Sequence, residues 1–182
     1  MIEFILYESI LIFSIGIDKY NSKSNDFPNL KGAKNDSLNK KKTFGSLFES
    51  ESEINEWIIL IDEEEATKEK ILSKFEEHLK RLPKEERKLI IFHFSGHGYL
   101  QEKNNQKRYF LCALDFDVEN PEVGGIDLFE IRKIVCTYQN FHCLALIDSC
   151  FSGSALDKIE NFYSISLLEN SFLNSFYVFF FC

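Results

Sequence analysis

Leu89-Ile90-Ile91-Phe92-His93-Phe94-Ser95-Gly96-His97-Gly98 and Cys143-Leu144-Ala145-Leu146-Ile147-Asp148-Ser149-Cys150-Phe151-Ser152-Gly153 decide the fold of this chain. Each stretch opens as a short, continuous apolar run, the pattern of a strand buried on both faces. Each run then breaks into Ser and Gly, and there one reactive side chain stands, His97 in the first and Cys150 in the second. Open α/β sheets bind ligands outside the carboxyl ends of their strands. If the two strands are parallel neighbours, His97 and Cys150 meet at that edge, and a thiol beside an imidazole is a nucleophile with its base.

Outward from these stretches the same alternation continues. Ile10 to Ile17 is a buried strand closed by Gly16 and Asp18, and residues 18–31 are loop-like. A helix is expected from Asn35 or Asp36, either able to cap it, to just before Gly45. Trp57 to Ile61 is a second strand, and Thr67 caps a helix through about Leu82, with Ile71, Leu72, Phe75 and Leu79 at helical spacing. Lys88 to Phe94 is the strand delivering His97. Residues 99–108 form a polar loop or hairpin tip, followed by a short strand from Tyr109 to Leu114. Asp127 caps a further helix, and His142 to Ile147 is the strand delivering Cys150. Strands alternating with amphipathic helices predict an α/β fold, a mainly parallel sheet flanked by helices.

The 182 residues fit one domain with a sizeable core. With 21 basic against 29 acidic residues the net charge is −8, which argues against nucleic acid and anionic membranes as partners. Five cysteines, none in a Cys-x-x-Cys pair, read as reduced thiols in a cytoplasmic protein. None of the four histidines pairs with Cys at zinc-ligand spacing, so no metal is assigned. The N-terminus lacks the basic region of a signal peptide. The run Phe176 to Phe181 is far shorter than the roughly 20 residues of a membrane helix.

Ser95-Gly96-His97-Gly98 followed by Asp148-Ser149-Cys150-Phe151-Ser152-Gly153 resembles the caspase-like cysteine peptidases, and within them the metacaspase and orthocaspase branch. Positions 97 and 150 lie 53 residues apart, near the roughly 50 of the caspase interval. Ile15-Gly16-Ile17-Asp18-Lys19-Tyr20 and Leu30-Lys31-Gly32-Ala33-Lys34-Asn35-Asp36 resemble the first strand and following loop of the same branch. The similarity runs from about residue 12 to Gly153.

This resemblance implies that Cys150 is the nucleophile and His97 its base and acid, with the N–H groups of Gly98 and Cys150 forming the oxyanion hole. It also matches Asp36, Ser95 and Asp148 to the pocket for the residue before the cut. Two carboxylates there would select Arg or Lys. Ala33 departs from the small polar or Cys residue common in the branch, with little bearing on charge. Many metacaspases need calcium. Asp115, Asp117 and Glu119, or the run 62–65, offer oxygen atoms without a calcium-loop pattern, so no cofactor is assigned and calcium stays unsupported.

Caspase-like domains usually continue past the nucleophile with about two more core strands, whereas 29 residues follow Gly153 here. The chain is therefore expected to be a single large-subunit-like domain over 1–182, truncated after the nucleophile strand. A Phe-rich tail over 154–182 stands in place of the usual C-terminal half and supplies at most one strand. The leading reading is a cysteine endopeptidase acting on protein or peptide substrates with basic residues. The alternative is a truncated or inactive caspase-like module that binds or regulates, with a caspase-like partner chain. A nucleotide-binding domain is disfavoured, because no Gly-rich phosphate loop follows the first strand.

Overall fold

Strands and helices follow one another as the apolar runs require. In the computed structural model the described residues are 7–20, 27–48, 54–61, 66–103, 106–149 and 175–181. They form β1 (Ser9–Gly16), α1 (Ala33–Phe48), β2 (Ile54–Ile61), α2 (Lys68–Arg81), β3 (Lys88–Gly96), β4 (Gly98–Lys103) and β5 (Gln106–Cys112). β6 (Gly125–Asp127), α3 (Leu128–Val135), β7 (Phe141–Ser149) and β8 (Ser175–Phe181) complete the order. The main sheet has five strands in the order β2-β1-β3-β7-β8, and every pairing in it is parallel. A smaller antiparallel sheet, β4-β5-β6, rises from the end of β3.

The side chains of the central strands alternate between two covered faces. Leu11, Phe13 and Ile15 of β1, Ile90, Phe92 and Phe94 of β3, and Cys143, Ala145 and Ile147 of β7 share a core with Ile71, Phe75 and Leu79 of α2 and Ile131 and Val135 of α3. Ile10, Ile12, Ile91 and Leu146 face the other way, with Phe44 of α1 packed against them. The first core is centred on an aromatic trio. The Phe13 and Phe75 rings lie 5.0 Å apart and those of Phe75 and Phe92 5.3 Å apart.

Several boundaries differ from the sequence expectation, each for a local reason. α1 starts at Ala33, ahead of Asn35 and Asp36, because Asp18 from the end of β1 supplies the cap, its Oδ1 accepting the Ala33 N–H at 2.9 Å. Asp36 thus lies inside the first turn, and the helix runs through Gly45 to Phe48. Thr67 precedes α2 without a side-chain bond, and Asp115 Oδ1 takes the Lys68 N–H at 2.9 Å instead. Asp127 does cap α3, in a reciprocal capping box with Glu130. The polar stretch at 99–108 contains most of a β4–β5 hairpin.

β8 pairs with β7 from His142–Ser175 to Asp148–Phe181, so the strand leading to Cys150 is interior to the sheet and not its edge. Of the tail expected over 154–182, residues 154–174 and 182 lie outside the described ones. Cys112 and Cys143 are buried and Cys136 exposed, none of the three in a disulfide. No helix among the described residues is long and apolar enough to cross a membrane.

Replacing Phe75 by Ala should empty the centre of the aromatic trio. A loss of about 3–5 kcal/mol is expected, read as a fall in the denaturation midpoint in urea.

Candidate active site

β3 and β7 stop side by side. Ser95 pairs with Asp148 and Gly96 with Ser149, so the two strands end side by side, one residue before His97 and one before Cys150 in the sequence. With the strands numbered in chain order, β2-β1-β3-β7-β8 is the doubly wound order 2-1-3-4-5, whose ligand crevice lies at the β1/β3 switch point. Cys150 itself lies outside the described residues. Its predecessor is tied down, because the Ser149 hydroxyl is hydrogen-bonded to the Tyr109 hydroxyl of β5.

His97 is held at four points. Its N–H donates to the Tyr20 hydroxyl at 2.7 Å, and its carbonyl accepts from the Cys112 N–H at 2.9 Å. The imidazole packs against both the Tyr20 and Phe27 rings, at centroid distances of 4.9 and 5.0 Å. Its Nε2 is 2.8 Å from the Pro28 carbonyl oxygen. A carbonyl only accepts, so Nε2 carries the proton, and in the neutral ring Nδ1 is the basic nitrogen. Nδ1 has no hydrogen-bond partner among the described residues.

The glycines flanking His97 do different things. A Cβ on Gly96 would meet the Tyr20 hydroxyl at 2.7 Å and the Phe94 ring at 2.9 Å, so the tyrosine can dock only over a glycine. Gly98 lies opposite Leu111. Because the Cys112 N–H bonds the His97 carbonyl, the antiparallel alternation makes Gly98–Leu111 a non-hydrogen-bonded pair. The Gly98 N–H therefore turns away from β5.

The acidic residues converge on the α1 face of the sheet. Ser95 Oγ donates to Asp36 Oδ2 at 3.2 Å, and Asp148 is the register partner of Ser95. Desolvation, and then the neighbouring Asp36 carboxylate, raise the Asp148 pKa, while Lys40 opposes the rise. A carboxylate beside another carboxylate, partly shielded from water, favours a cation brought between them.

Beneath this group on the same face lies a buried polar cluster. Ser14 Oγ is 2.8 Å from His93 Nδ1, and both residues are buried. His93 Nε2 and Ser37 Oγ are buried without hydrogen-bond partners. Burial, reinforced by the charge of Lys40, lowers the His93 pKa from 6.5 to about 4, so the ring is neutral near pH 7. His93 is a structural residue, with one ring nitrogen hydrogen-bonded and the other not.

Of the oxygen-rich candidates for calcium, Asp115 and Asp117 each accept a main-chain hydrogen bond. Asp115 caps α2, and Asp117 Oδ1 accepts the Glu119 N–H at 2.9 Å. The run 62–65 lies outside the described residues. Among the described residues no three His, Cys, Asp or Glu side chains cluster as a metal site.

Four contributors escaped the sequence reading: Tyr20, Phe27, the Pro28 carbonyl and Tyr109. Two aromatic rings in the otherwise polar 18–31 loop were the available signal.

The fold is α/β, a mainly parallel sheet flanked by helices. The model of the metacaspase, peptidase C14 domain family matches residues 12–159, and the chain belongs to that family, a caspase-like cysteine peptidase domain. No curated protein matches the chain in sequence. Among solved structures, protein GSU0716 from Geobacter sulfurreducens is similar in fold, with a TM-score of 0.56 at 16% identity. The similarity covers 87% of this chain and 56% of that one, so this chain spans little more than half of the protein it resembles.

The His93 environment sets a pH dependence. The unfolded chain takes up this proton near pH 6.5 and the folded chain only near 4. The contribution is full above pH 6.5 and is lost as pH falls, by about 1.4 kcal/mol per unit within that window. Urea titrations at pH 7 and pH 5 should show His93→Gln losing about 2 kcal/mol less than the wild type on acidification.

Proposed function

We propose that the protein is a cysteine endopeptidase that cuts after Arg or Lys, with His97 and Cys150 as its dyad. The observation that carries this reading is the side-by-side ending of β3 and β7, with an imidazole anchored through Nε2 on one of them. His97 Nδ1 takes the Cys150 thiol proton, and the thiolate sulfur attacks the scissile carbonyl carbon. The Gly98 and Cys150 N–H groups receive the developing oxyanion, the kind of donor whose loss costs about 100- to 1000-fold. The imidazolium then protonates the leaving amine, and water hydrolyses the thioester.

Asp36 and Asp148, with Ser95 between them, hold the substrate's cationic side chain. The Asp36–Ser95 bond and the raised Asp148 pKa support this, since both carboxylates gain from a guanidinium or ammonium. The substrates are then proteins or peptides with accessible basic residues, and the site of action is the cytoplasm.

Cys150→Ala and His97→Ala should each abolish turnover of peptide reporters, and the double variant should lose little more than either single one. Full turnover by Cys150→Ala would remove the nucleophile assignment.

Reporters ending in Arg or Lys should be cleaved in preference to one ending in Asp. Asp148→Asn should lower kcat/KM on the basic reporters by about 10- to 100-fold, the value of a charge-assisted bond. Cleavage after Asp would overturn the pocket assignment, and specific binding of substrates without turnover would favour a regulatory module.

A further inference from the structure

We propose that Tyr20 is a positioning residue for His97, acting through the histidine's main chain and ring and touching no substrate. The inference rests on the assignment of His97 as the base. Tyr20 stands two residues past Asp18, which caps α1, and its hydroxyl joins two strand ends. The hydroxyl donates to the Ile17 carbonyl just beyond β1 at 3.3 Å, and it accepts the His97 N–H just beyond β3 at 2.7 Å.

That N–H needs an outside acceptor for a topological reason. β3 ends at Gly96 and β4 begins at Gly98, so His97 is the single residue between two sheets. The hairpin satisfies its carbonyl through the Cys112 N–H, while among the described residues no backbone carbonyl takes its own N–H. The tyrosine hydroxyl closes the gap. Left unpaired, a shielded N–H carries a desolvation penalty that favours turning the peptide towards another acceptor.

The same residue also constrains the ring. Its aromatic face packs on the imidazole at 4.9 Å and on Phe27 at 5.9 Å, and Phe27 packs on the imidazole from a second side. The Nε2 bond to Pro28 fixes which nitrogen is protonated only while the ring keeps this tilt. Gly96 completes the arrangement, since any side chain there would occupy the place of the hydroxyl. A tyrosine, two residues of a loop and a glycine thus define one imidazole pose, with Nδ1 as the basic nitrogen.

Tyr20→Phe keeps the ring and removes only the hydroxyl. The first measurement is the nitrogen-15 spectrum of His97, labelled at its ring nitrogens, in the wild-type chain and in the variant. The wild type should show a single Nε2–H tautomer above its titration, and the variant shifts averaged between both tautomers. Peptide turnover should show kcat reduced by about 10- to 100-fold, the scale of a small misplacement of a catalytic group, with KM unchanged. Tyr20→Leu, which also removes the ring, should move the His97 signals further. Wild-type tautomer shifts in Tyr20→Phe would overturn the proposal, as would an unchanged kcat in an active enzyme. Ordered wild-type shifts that Tyr20→Phe disturbs, in a chain with no turnover at all, would uphold the positioning role and count against the peptidase reading alone.

Discussion

Parallel pairing of β3 with β7 is the constraint on which the rest of the site depends. The register holds without interruption from Lys88–Phe141 to Gly96–Ser149. Each strand is covered on both faces, and a slip by one residue would send every side chain of β7 to the opposite layer. Asp148 would then leave the α1 face, where Ser95 and Asp36 are, and Ile147 would be driven against the polar cluster. The apolar contacts of α2 and α3 with one face therefore fix which residues meet at the strand ends.

The α1 face carries the opposite balance. Ser14, His93 and Ser95 sit among the strands where aliphatic residues would pack better, and two polar atoms there are unpaired. Such groups are costly in a core. They lie directly under the acidic residues, and α1 can approach them only because Gly16 has no side chain. A Cβ there would stand 2.3 Å from the Ala33 carbonyl and 2.7 Å from Ser37 Oγ. The close start of α1 is what brings Asp36 within hydrogen-bond distance of Ser95. Stability is lost in the same layer in which charge is gathered, a combination characteristic of functional sites.

The histidine is set by contacts that are remote in sequence. Tyr20, Phe27 and Pro28 come from the connection between β1 and α1, and Cys112 from the hairpin. Each contact is modest alone. Together they hold the main chain and the ring in one orientation, so little reorganisation remains for a reaction to pay.

The sequence by itself determined the alternation of strands and helices, the parallel sheet and the two strand ends at His97 and Cys150, because continuous apolar runs ending in Gly and Ser have few other solutions. It also carried the family motifs. Tertiary structure decided what short patterns do not encode. The cap of α1 came from Asp18 and not from Asn35 or Asp36, because the end of β1 runs beside the helix start. In the sequence the hairpin at 98–112 shows only as a polar loop or hairpin tip and a short strand, because its polar side chains hide the length of its strands and only backbone pairing defines them. The environment of His93 and the clamp on His97 arise from residues 69 to 79 positions away, and such pairings exist only once the sheet order has brought them together.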